Sequence, residues 1–525
     1  MTPLLENHLG GRWQTGSGAG TPLFDPVLGN ELARISSAGL NLIEGFDYAR
    51  QRGGAALRAL TYGERAALLG RVAETLQAQR DAYFDIALQN SGTTRNDSAV
   101  DIDGAIFTLG QYARWGAKLG AARWLADGAA ARLGKDGSFQ SGHVLTSQRG
   151  LVLCINAFNF PAWGLWEKAA PALLSGVPVV VKPASATAWL TQRMVADVVA
   201  AGVLPDGALS VVCGSSDGLL DALQPFDLLS FTGSADTAEA IRRHHAVLRH
   251  GVRMNVETDS LNSALLGPDA TPGSDAFTTA VREVVREMTI KAGQKCTAIR
   301  RVLVPQQHAR EAADAIAAAL AGVKVGNPRN ESVRMGSLAS RAQADAVRQG
   351  IGTLGGEAKR VFSGDEATLV DADATVGAFA MPCLFAVDDA DASSLVHDVE
   401  VFGPVATVAP YRDTTHAFAL ARRGQGSLVA SVFTADDEFA ERAAIEIGHA
   451  HGRVHVVTPA VAKTHTGHGN VMPMSLHGGP GRAGGGEELG GLRALAFYHQ
   501  RSAVQGPQSV VESILGKAAA FPDAG

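Results

Sequence analysis

Hydrophobic positions early in the chain recur at the spacing of an amphipathic helix. Leu69, Val72, Leu76, Tyr83 and Ile86 lie three, four or seven residues apart. That spacing brings the side chains to one face of a helix. The pattern predicts a pair of amphipathic helices, or one long helix, over residues 62–90.

From Leu151 the pattern changes to short, continuous apolar runs separated by helix-like segments. The runs are LVLCIN, PVVVKP, ALSVVCG, DLLSFTG and VRMNVET. A strand that is apolar on both faces belongs in a parallel sheet covered by helices on both sides. The sequence therefore predicts a doubly wound α/β region, and later runs such as RRVLVP and SLVASVFT predict a second α/β lobe after Glu257. The polar segment GKDGSFQSGHVLTSQRG before Leu151 is typical of a hairpin that serves contacts between subunits.

Composition narrows the class of protein. A chain of 525 residues is longer than one hydrophobic core usually holds. It is 46% hydrophobic and 19% charged, as in globular α/β proteins, and its net charge of −6 argues against a nucleic-acid surface. The sequence has neither a run of ~18 apolar residues nor a signal-like amino terminus, so we expect a cytoplasmic protein without a membrane partner.

The cysteines are too few for a disulfide framework. Cys154, Cys213 and Cys383 stand in apolar runs, which favours packing roles for all three. Cys296 stands in the polar stretch KAGQKCTAIRR, which by itself is compatible with a nucleophile or with a packed thiol. No cysteine pair has the spacing of a zinc site, so no metal is expected.

The residues that end the apolar runs are where ligands bind in open parallel sheets. The motifs FNFP, VVKP, FTGS, a glutamate ending VRMNVE, GQKCT and EVFGP occur in this order. Their combination resembles the aldehyde dehydrogenase superfamily over nearly the whole chain. The resemblance implies an α/β fold with a doubly wound cofactor domain over 1–129 and 150–258, and a catalytic domain over 259–481. It also implies a bridging element over 130–149 and 482–525 that joins subunits into homodimers or homotetramers.

The resemblance also implies catalytic roles. Cys296 would add to an aldehyde, Asn159 would stabilise the oxyanion together with the Cys296 N–H, and Glu257 would activate the water that hydrolyses the thioester. Lys168 and Glu488 match positions that assist proton transfer. Judged without the resemblance, Glu257 is equally compatible with a surface carboxylate at a strand end.

A nicotinamide dinucleotide is the implied cofactor, and one departure from the family pattern bears on its identity. In the pattern K-P-x-E the glutamate grips ribose hydroxyls, whereas this chain has Lys182 followed by Ser185. A carboxylate repels a 2′-phosphate, so serine predicts NADP in preference to NAD. The residues implied for cofactor binding are Ile155, Phe158, Lys182, Ser185, Gly233, Ser234, Thr258, Glu400 and Phe402.

Further departures point to one branch of the family. ETDSLNSALLGP and HGGPGRAGGGEELGG resemble the dehydrogenases of aerobic aromatic degradation that oxidise ring-opened semialdehydes carrying a coenzyme A thioester. Two alternatives remain open: a coenzyme A-acylating dehydrogenase, and a cofactor-free cysteine hydrolase or acyltransferase. The second needs a histidine base, and none lies within the matched motifs. GPGRAG at 479–484 is interpreted as an accidental match to G-x-G-x-x-G, and Lys295 has no predicted role.

Overall fold

Two seven-stranded sheets carry most of the chain in the computed structural model, which describes residues 2–365 and 368–521. The amino-terminal region precedes the central strands of the first sheet. It contains β1 (Leu4–Leu5), β2 (Asn7–Leu9), β3 (Arg12–Gln14), β4 (Thr21–Phe24), β5 (Glu31–Ile35), α1 (Leu42–Tyr48), α2 (Gly54–Ala59), α3 (Tyr62–Ala78), α4 (Arg80–Asn90) and α5 (Arg95–Lys118).

The next region alternates strands and helices. It contains β6 (Leu125–Ala126), β7 (Ala131–Arg132), β8 (Phe139–Ser147), β9 (Val152–Ile155), α6 (Trp163–Leu174), β10 (Val179–Lys182), α7 (Ala188–Ala200), β11 (Leu209–Val211), β12 (Leu228–Thr232), α8 (Ala235–Arg242), α9 (His245–His250) and β13 (Arg253–Glu257).

A second α/β region and a carboxyl-terminal region follow. The second α/β region contains β14 (Ser263–Leu266), α10 (Asp275–Thr289), β15 (Arg301–Pro305), α11 (Ala309–Ala321), α12 (Arg341–Leu354), β16 (Lys359–Ser363), β17 (Cys383–Ala386), α13 (Leu395–Asp398), β18 (Val405–Tyr411), α14 (Thr414–Arg422), β19 (Ser427–Phe433), α15 (Asp437–Gly448) and β20 (His451–Val457). The carboxyl-terminal region contains β21 (Leu476–Gly478), β22 (Glu487–Leu489), β23 (His499–Pro507), α16 (Gln508–Gly516) and β24 (Ala519–Ala520).

The first sheet has the strand order β13-β12-β9-β10-β11-β2-β3. Its strands β13 to β11 are parallel, and β2 and β3 are added antiparallel. The register pairs Lys182 with Ile155 and Thr232 with Glu257, so the carboxyl ends of four strands lie along one edge. Apolar clusters pack on both faces of this sheet, with α3, α5, α6 and α7 covering one of them.

The second sheet has the order β16-β17-β18-β15-β14-β19-β20 and is parallel apart from β16. It too is buried on both faces. A smaller sheet joins β23, β8, β6 and β24, with β7 paired to β8. The antiparallel pair of β7 and β8 confirms the predicted hairpin before Leu151.

The predicted α/β organisation is confirmed in its main features. Residues 62–90 form two helices, α3 and α4, and a capping box of Thr61 and Glu64 begins the first of them. The second lobe begins with β14, after Glu257 as expected. Cys154, Cys213 and Cys383 are buried, in agreement with packing roles. Residues 522–525 of the predicted bridging element lie outside the described ranges.

Candidate active site

The carboxyl edge of the first sheet gathers predicted site residues. Lys182 and Glu257 are the last residues of β10 and β13, while Asn159 and Ser234 follow β9 and β12. Ser234 caps α8, its Oγ accepting a hydrogen bond from the Thr237 backbone N–H. This arrangement is the one expected of an open parallel sheet.

The cysteine reaches this edge on a loop from the second lobe. Lys291, Ala292 and Gly293 in the preceding turn have left-handed φ angles of 51°, 53° and 71°. Each non-glycine residue in that region costs about 1–2 kcal/mol, so tertiary contacts must hold the turn. The Lys291 ammonium group lies 4.3 Å from the centre of the Phe160 ring. A Cβ on Gly293 would lie 2.2 Å from the Gly403 carbonyl oxygen, so glycine is required there.

Both neighbours of Cys296 anchor the loop. The Nζ of Lys295, a fully buried residue, lies 3.0 Å from each carboxylate oxygen of Glu287 on α10. Thr297 Oγ1 donates a hydrogen bond to the Gly469 carbonyl oxygen at 3.0 Å. Lys295 therefore has a structural role, which the sequence did not predict.

Cys296 is half-buried and lines three cavities, two larger ones and one of 20 Å³. The first, of 640 Å³, runs along the carboxyl edge of the first sheet, and we call it the edge cleft. The second, of 190 Å³, is mostly apolar, and we call it the apolar cavity. Its walls include Val100, Phe107, Phe160, Trp163, Val471, Met472 and Pro473. The thiol is thus reachable from two directions.

Glu257 lies beside Cys296 and is paired with a histidine. The carboxylate, the thiol and the imidazole of His477 offer atoms that all lie within 4.8 Å of one another. Glu257 Oε2 and His477 Nε2 are 2.6 Å apart, although the ring N–H is not aligned for a linear hydrogen bond, so the contact is an ion pair when both groups are charged. Burial opposes ionisation of Glu257, but His477 and Lys168 outweigh it and lower the pKa of this carboxyl.

A second group of buried charges lies behind this pair. Lys168 Nζ donates to Glu167 Oε1 at 2.5 Å and to Glu488 Oε2 at 3.2 Å. Ser230 Oγ donates to the other Glu488 oxygen at 3.0 Å. Burial raises the pKa of Glu167 to about 8, so the Glu167 carboxyl holds a proton at neutral pH.

The donors predicted for an oxyanion lie next to the thiol. Asn159 borders the edge cleft with Cys296, and its Nδ2 donates to the Gln294 carbonyl oxygen at 3.0 Å. In the described part of the chain, no acceptor takes the backbone N–H of Cys296. A carboxamide nitrogen carries two N–H donors, so Asn159 retains one for a further acceptor.

The edge cleft has the features of a dinucleotide site. Within the described ranges, Thr232 Oγ1 and Glu400 Oε1 are buried there without a hydrogen-bond partner, so each can accept or donate to a bound molecule. Burial raises the pKa of Glu400 to about 7, against the effect of Arg300. Phe158 and Phe402 meet edge to face at 5.8 Å. The predicted cofactor residues that line the cleft are Ile155, Phe158, Gly233, Ser234, Thr258, Glu400 and Phe402.

Two predicted cofactor residues do not line the edge cleft. Lys182 is half-buried at the end of β10, and its ammonium group has no ion-pair partner in the ranges that the structure describes. Ser185 borders a neighbouring cavity with Ser340 and Arg341. Ala184 between them does line the cleft, so both residues stand next to its wall.

Three residues of the site were missed by the sequence reasoning. His477 contacts Glu257, Glu167 contacts Lys168, and Arg482 lines the edge cleft. No histidine lies within the matched motifs, so reasoning from those motifs did not place His477 beside Glu257. Reading LHGG and EELG as the two strands of a hairpin would have placed the histidine opposite a glutamate.

The chain belongs to the aldehyde dehydrogenase family, whose sequence model matches residues 13–504. It is 57% identical over 477 residues to the 3,4-dehydroadipyl-CoA semialdehyde dehydrogenase of Aromatoleum evansii, a match that covers 91% of this chain and 93% of that protein. Aldehyde oxidation with NAD(P) as acceptor is therefore its class of reaction.

Solved structures show the same fold. The lactaldehyde dehydrogenase of Escherichia coli superimposes with a TM-score of 0.83 at 20% identity, over 96% of this chain and 99% of that one. A betaine aldehyde dehydrogenase of Staphylococcus aureus, solved with NAD+, gives 0.82 at 22% identity, over 96% of each chain. The fold predicted from the motifs is confirmed.

No helix in the described ranges is long and apolar enough to cross a membrane.

Alkylation of Cys296 tests the electrostatics of the site. Burial raises the pKa of the Cys296 thiol well above its ordinary value, and the facing Glu257 carboxylate raises it further. In Glu257→Gln the second effect is removed, so the thiolate forms at lower pH. We expect iodoacetamide to label Cys296 roughly tenfold faster at neutral pH than in the wild type.

The labelled peptide, identified by mass spectrometry, separates Cys296 from the three buried cysteines. Glu239→Gln, a change in an exposed carboxylate of α8, is the control and should leave the rate unchanged. Slower labelling of Glu257→Gln would contradict the assignment, because it would mean that Glu257 assists thiolate formation more than it opposes it.

Proposed function

We propose that this chain oxidises a ring-opened semialdehyde carrying a coenzyme A thioester to the carboxylic acid, with Cys296 as nucleophile and NADP as the preferred acceptor. One observation carries the proposal: the Cys296 thiol borders both the edge cleft and the apolar cavity and lies within 4.8 Å of the nearest atoms of Glu257 and His477. Nucleophile, base and two separate binding spaces therefore converge on one sulfur atom.

The first step forms a bond between Cys296 Sγ and the aldehyde carbon. The thiol releases its proton to solvent, the sulfur attacks the aldehyde carbon, and the carbonyl oxygen becomes an oxyanion. The backbone N–H of Cys296 and the remaining N–H of Asn159 donate to that oxyanion. These donors are already held in place by the surrounding backbone, so they need little reorganisation.

A nicotinamide dinucleotide bound in the edge cleft would accept the hydride that leaves the former aldehyde carbon, and the adduct on Cys296 would thereby become a thioester. Ser234 at the start of α8 would bind its pyrophosphate, as helix amino termini bind anions. Glu400 Oε1, which accepts no hydrogen bond within the described residues although Arg300 Nε lies 3.5 Å away, would accept one from a ribose hydroxyl. Phe402 would pack beside the nicotinamide ring.

The last step hydrolyses the thioester on Cys296. Glu257 takes a proton from a water molecule, the water oxygen attacks the acyl carbon, and the carbon–sulfur bond breaks to release the acid and the thiolate. A cavity of 20 Å³ beside Glu257 and Cys296 is large enough for one water molecule. Glu167 and Lys168 also line it, which supports their role, with Glu488, in carrying the proton away.

The substrate class is proposed from the relative and from the apolar cavity. The Aromatoleum evansii protein is named for 3,4-dehydroadipyl-CoA semialdehyde. A cavity of 190 Å³ lined by Phe160 and Trp163 suits a narrow aliphatic chain that ends in an aldehyde. The bulky thioester would then remain outside it.

The hydrolase alternative is disfavoured by where the histidine lies. A cysteine hydrolase uses its imidazole as the base for the thiol, but His477 Nε2 lies 2.6 Å from Glu257. That alternative also gives the edge cleft no purpose. The acylating alternative differs only in the last step, where free coenzyme A replaces water, and kinetics separate the two.

Rapid mixing with NADP and a linear semialdehyde thioester tests the reaction. We expect a burst of NADPH and continued turnover without free coenzyme A in the wild type. Cys296→Ala should give no NADPH, since it lacks the nucleophile. Glu257→Gln should keep a burst but lose roughly 10²–10⁴-fold in turnover, the usual contribution of a general base.

Two results would contradict this scheme. NADPH formation by Cys296→Ala would remove the covalent step. Turnover of the wild type only after addition of free coenzyme A would show that the acyl group is transferred to a thiol, and the acylating alternative would replace the hydrolytic one.

The preference for NADP follows from charge at the end of β10. No carboxylate stands at position 185, and burial lowers the pKa of Lys182 against a smaller opposite effect of Cys213, with no carboxylate contributing. A half-buried ammonium group without a counter-ion in the described ranges attracts a 2′-phosphate. Ser185, next to the cleft wall, leaves room for it.

Substitution at position 185 tests the preference. Ser185→Glu should lower the ratio of kcat/KM for NADP to that for NAD by roughly tenfold or more, because the new carboxylate repels the 2′-phosphate. Ser185→Gln has the same size without the charge and should change the ratio much less. A wild type that uses NAD with the higher kcat/KM contradicts the proposal.

The bridging element is proposed to join subunits. Strand β23 pairs with β8 on one side, and residues 500–503 are exposed on both faces of the sheet. A long strand with an open edge is usually covered by another chain. The limits of the bridging element, 130–149 and 482–525, remain a proposal. The pairing of β6 with β8 adds residues 125–126 to its sheet.

Sedimentation equilibrium tests the assembly. We expect a mass of two or four times the 54.5 kDa chain at micromolar concentration. Ala503→Pro, which removes one N–H from β23, should shift the protein towards monomer. A wild-type monomer contradicts the proposal.

A further inference from the structure

His477 lies at the centre of the buried charges of the active site. Its Nε2 is 2.6 Å from Glu257 Oε2, and its ring nitrogens lie within 4.8 Å of the nearest atoms of Cys296, Glu167 and Glu488. The residue is 3% exposed, so these side chains and not water surround it. The Trp163 ring packs against the imidazole at a centroid distance of 5.2 Å, and His477 also borders the apolar cavity.

A glycine-bounded hairpin fixes the position of the imidazole. Strands β21 and β22 pair antiparallel, with His477 directly opposite Glu488. Gly478 has a φ of 125°, and a Cβ there would lie 2.0 Å from the Gly486 carbonyl oxygen. The two strands therefore approach closely only because these positions lack side chains, and the approach directs His477 towards β13.

The charges around His477 balance only if the imidazole is positive. Glu257, Glu167 and Glu488 bring three buried carboxyl groups, and Lys168 is held by the last two. With Glu167 protonated, two carboxylates face the single ammonium group of Lys168. A carboxylate buried without a counter-ion is strongly disfavoured. His477 is the cation that lies in contact with Glu257.

We propose that the imidazolium of His477 is the counter-ion that keeps the buried Glu257 ionised, and that it sets the pH range in which Glu257 works as a base. The inference rests on the proposed role of Glu257. His477 acts through Glu257 and is therefore a positioning residue for the hydrolytic step, not a group that reacts with the substrate.

The titration of the pair agrees with this geometry. Burial by itself lowers the pKa of His477, but Glu257, Glu167 and Glu488 raise it to about 8. Lys168 and the Cys296 thiol are the other ionisable groups that face the pair. Below about pH 8 His477 is positive, and the pKa of Glu257 stays low. Above that pH the imidazole is neutral, and Glu257 becomes a stronger base.

Deacylation measured with an activated ester isolates this effect. p-Nitrophenyl acetate acylates a thiol without aldehyde or dinucleotide, and the acylated Cys296 no longer titrates. In His477→Gln only Lys168 opposes the effect of burial on the pKa of Glu257. The acidic limb of the deacylation profile should therefore move to higher pH by at least one unit. We expect a loss of roughly fivefold to tenfold one pH unit below the midpoint of the variant's acidic limb, and less than about threefold near pH 9.

The wild-type profile carries a second signature. Its deacylation rate should stay high down to about pH 5, because the pKa of Glu257 is lowered, and should rise as His477 loses its proton near pH 8. The rise should be absent from His477→Gln. His451→Gln, a change in a buried histidine whose pKa is lowered to about 4, is the matched control and should reproduce the wild-type profile.

Each outcome decides one point. A His477→Gln profile that is parallel to the wild type, lowered equally at every pH, means a merely structural role and overturns the inference. A Glu257→Gln variant that deacylates like the wild type overturns the proposed base itself. If His477→Gln does not fold, the wild-type profile decides alone, since an acidic limb at about pH 6 or above contradicts a counter-ion at Glu257.

Discussion

Arg300 connects the loop of the nucleophile to the edge cleft. Its guanidinium donates to the carbonyl oxygens of Gly293 and Lys295 at 3.0 and 3.2 Å, and to that of Gly403 at 2.8 Å. Its Nε lies 3.5 Å from Glu400. One planar cation therefore sets the spacing between the turn before Cys296 and the loop that carries Glu400. These bonds, together with the Lys291–Phe160 contact, help to offset the cost of the left-handed turn at residues 291–293.

The active site buries many charges, and its architecture follows from the need to pair them. Lys295 forms an ion pair with Glu287. Lys168 contacts the carboxyl groups of Glu167 and Glu488, and His477 contacts that of Glu257. Buried pairs add little net stability, because the cost of desolvation offsets their attraction. Removal of one partner is costly, however, since the other remains buried and charged. This favours the rigid positions that a preorganised site requires.

Much of the fold could be predicted because strands buried on both faces leave continuous apolar runs in the sequence. The run PVVVKP became the central strand β10, and the residue that ends VRMNVE lies at the active edge. Contacts between distant segments leave no such periodic trace. His477 lies 220 residues from Glu257, in a glycine-dense segment that resembles an irregular loop. Lys295 could not be assigned because its partner, Glu287, lies on the buried face of α10, among other charged residues.

Glu257 is followed by Thr258, Asp259 and Ser260, where the family pattern that the sequence resembles, E-L-G-G, has two glycines. Contacts with neighbouring segments explain how these side chains fit. Thr258 Oγ1 donates to the Arg482 carbonyl oxygen at 2.5 Å, and Asp259 Oδ1 accepts from the Ala235 N–H at 3.2 Å. The backbone N–H of Ser260 donates a hydrogen bond to Glu400 Oε2 at 3.0 Å, and this bond fixes the position of Ser260.

The side chains after Glu257 have room because the segment that faces them has glycines, which carry no side chain. A Cβ on Gly484 would lie 2.2 Å from the Val256 carbonyl oxygen, and one on Gly486 would lie 2.5 Å from the same oxygen. The end of β13 therefore leaves no room for a side chain at position 484 or 486. Gly484 ends GPGRAG, and Gly486 follows it. These two glycines let the His477 hairpin pack against β13, and this packing brings the imidazole to Glu257.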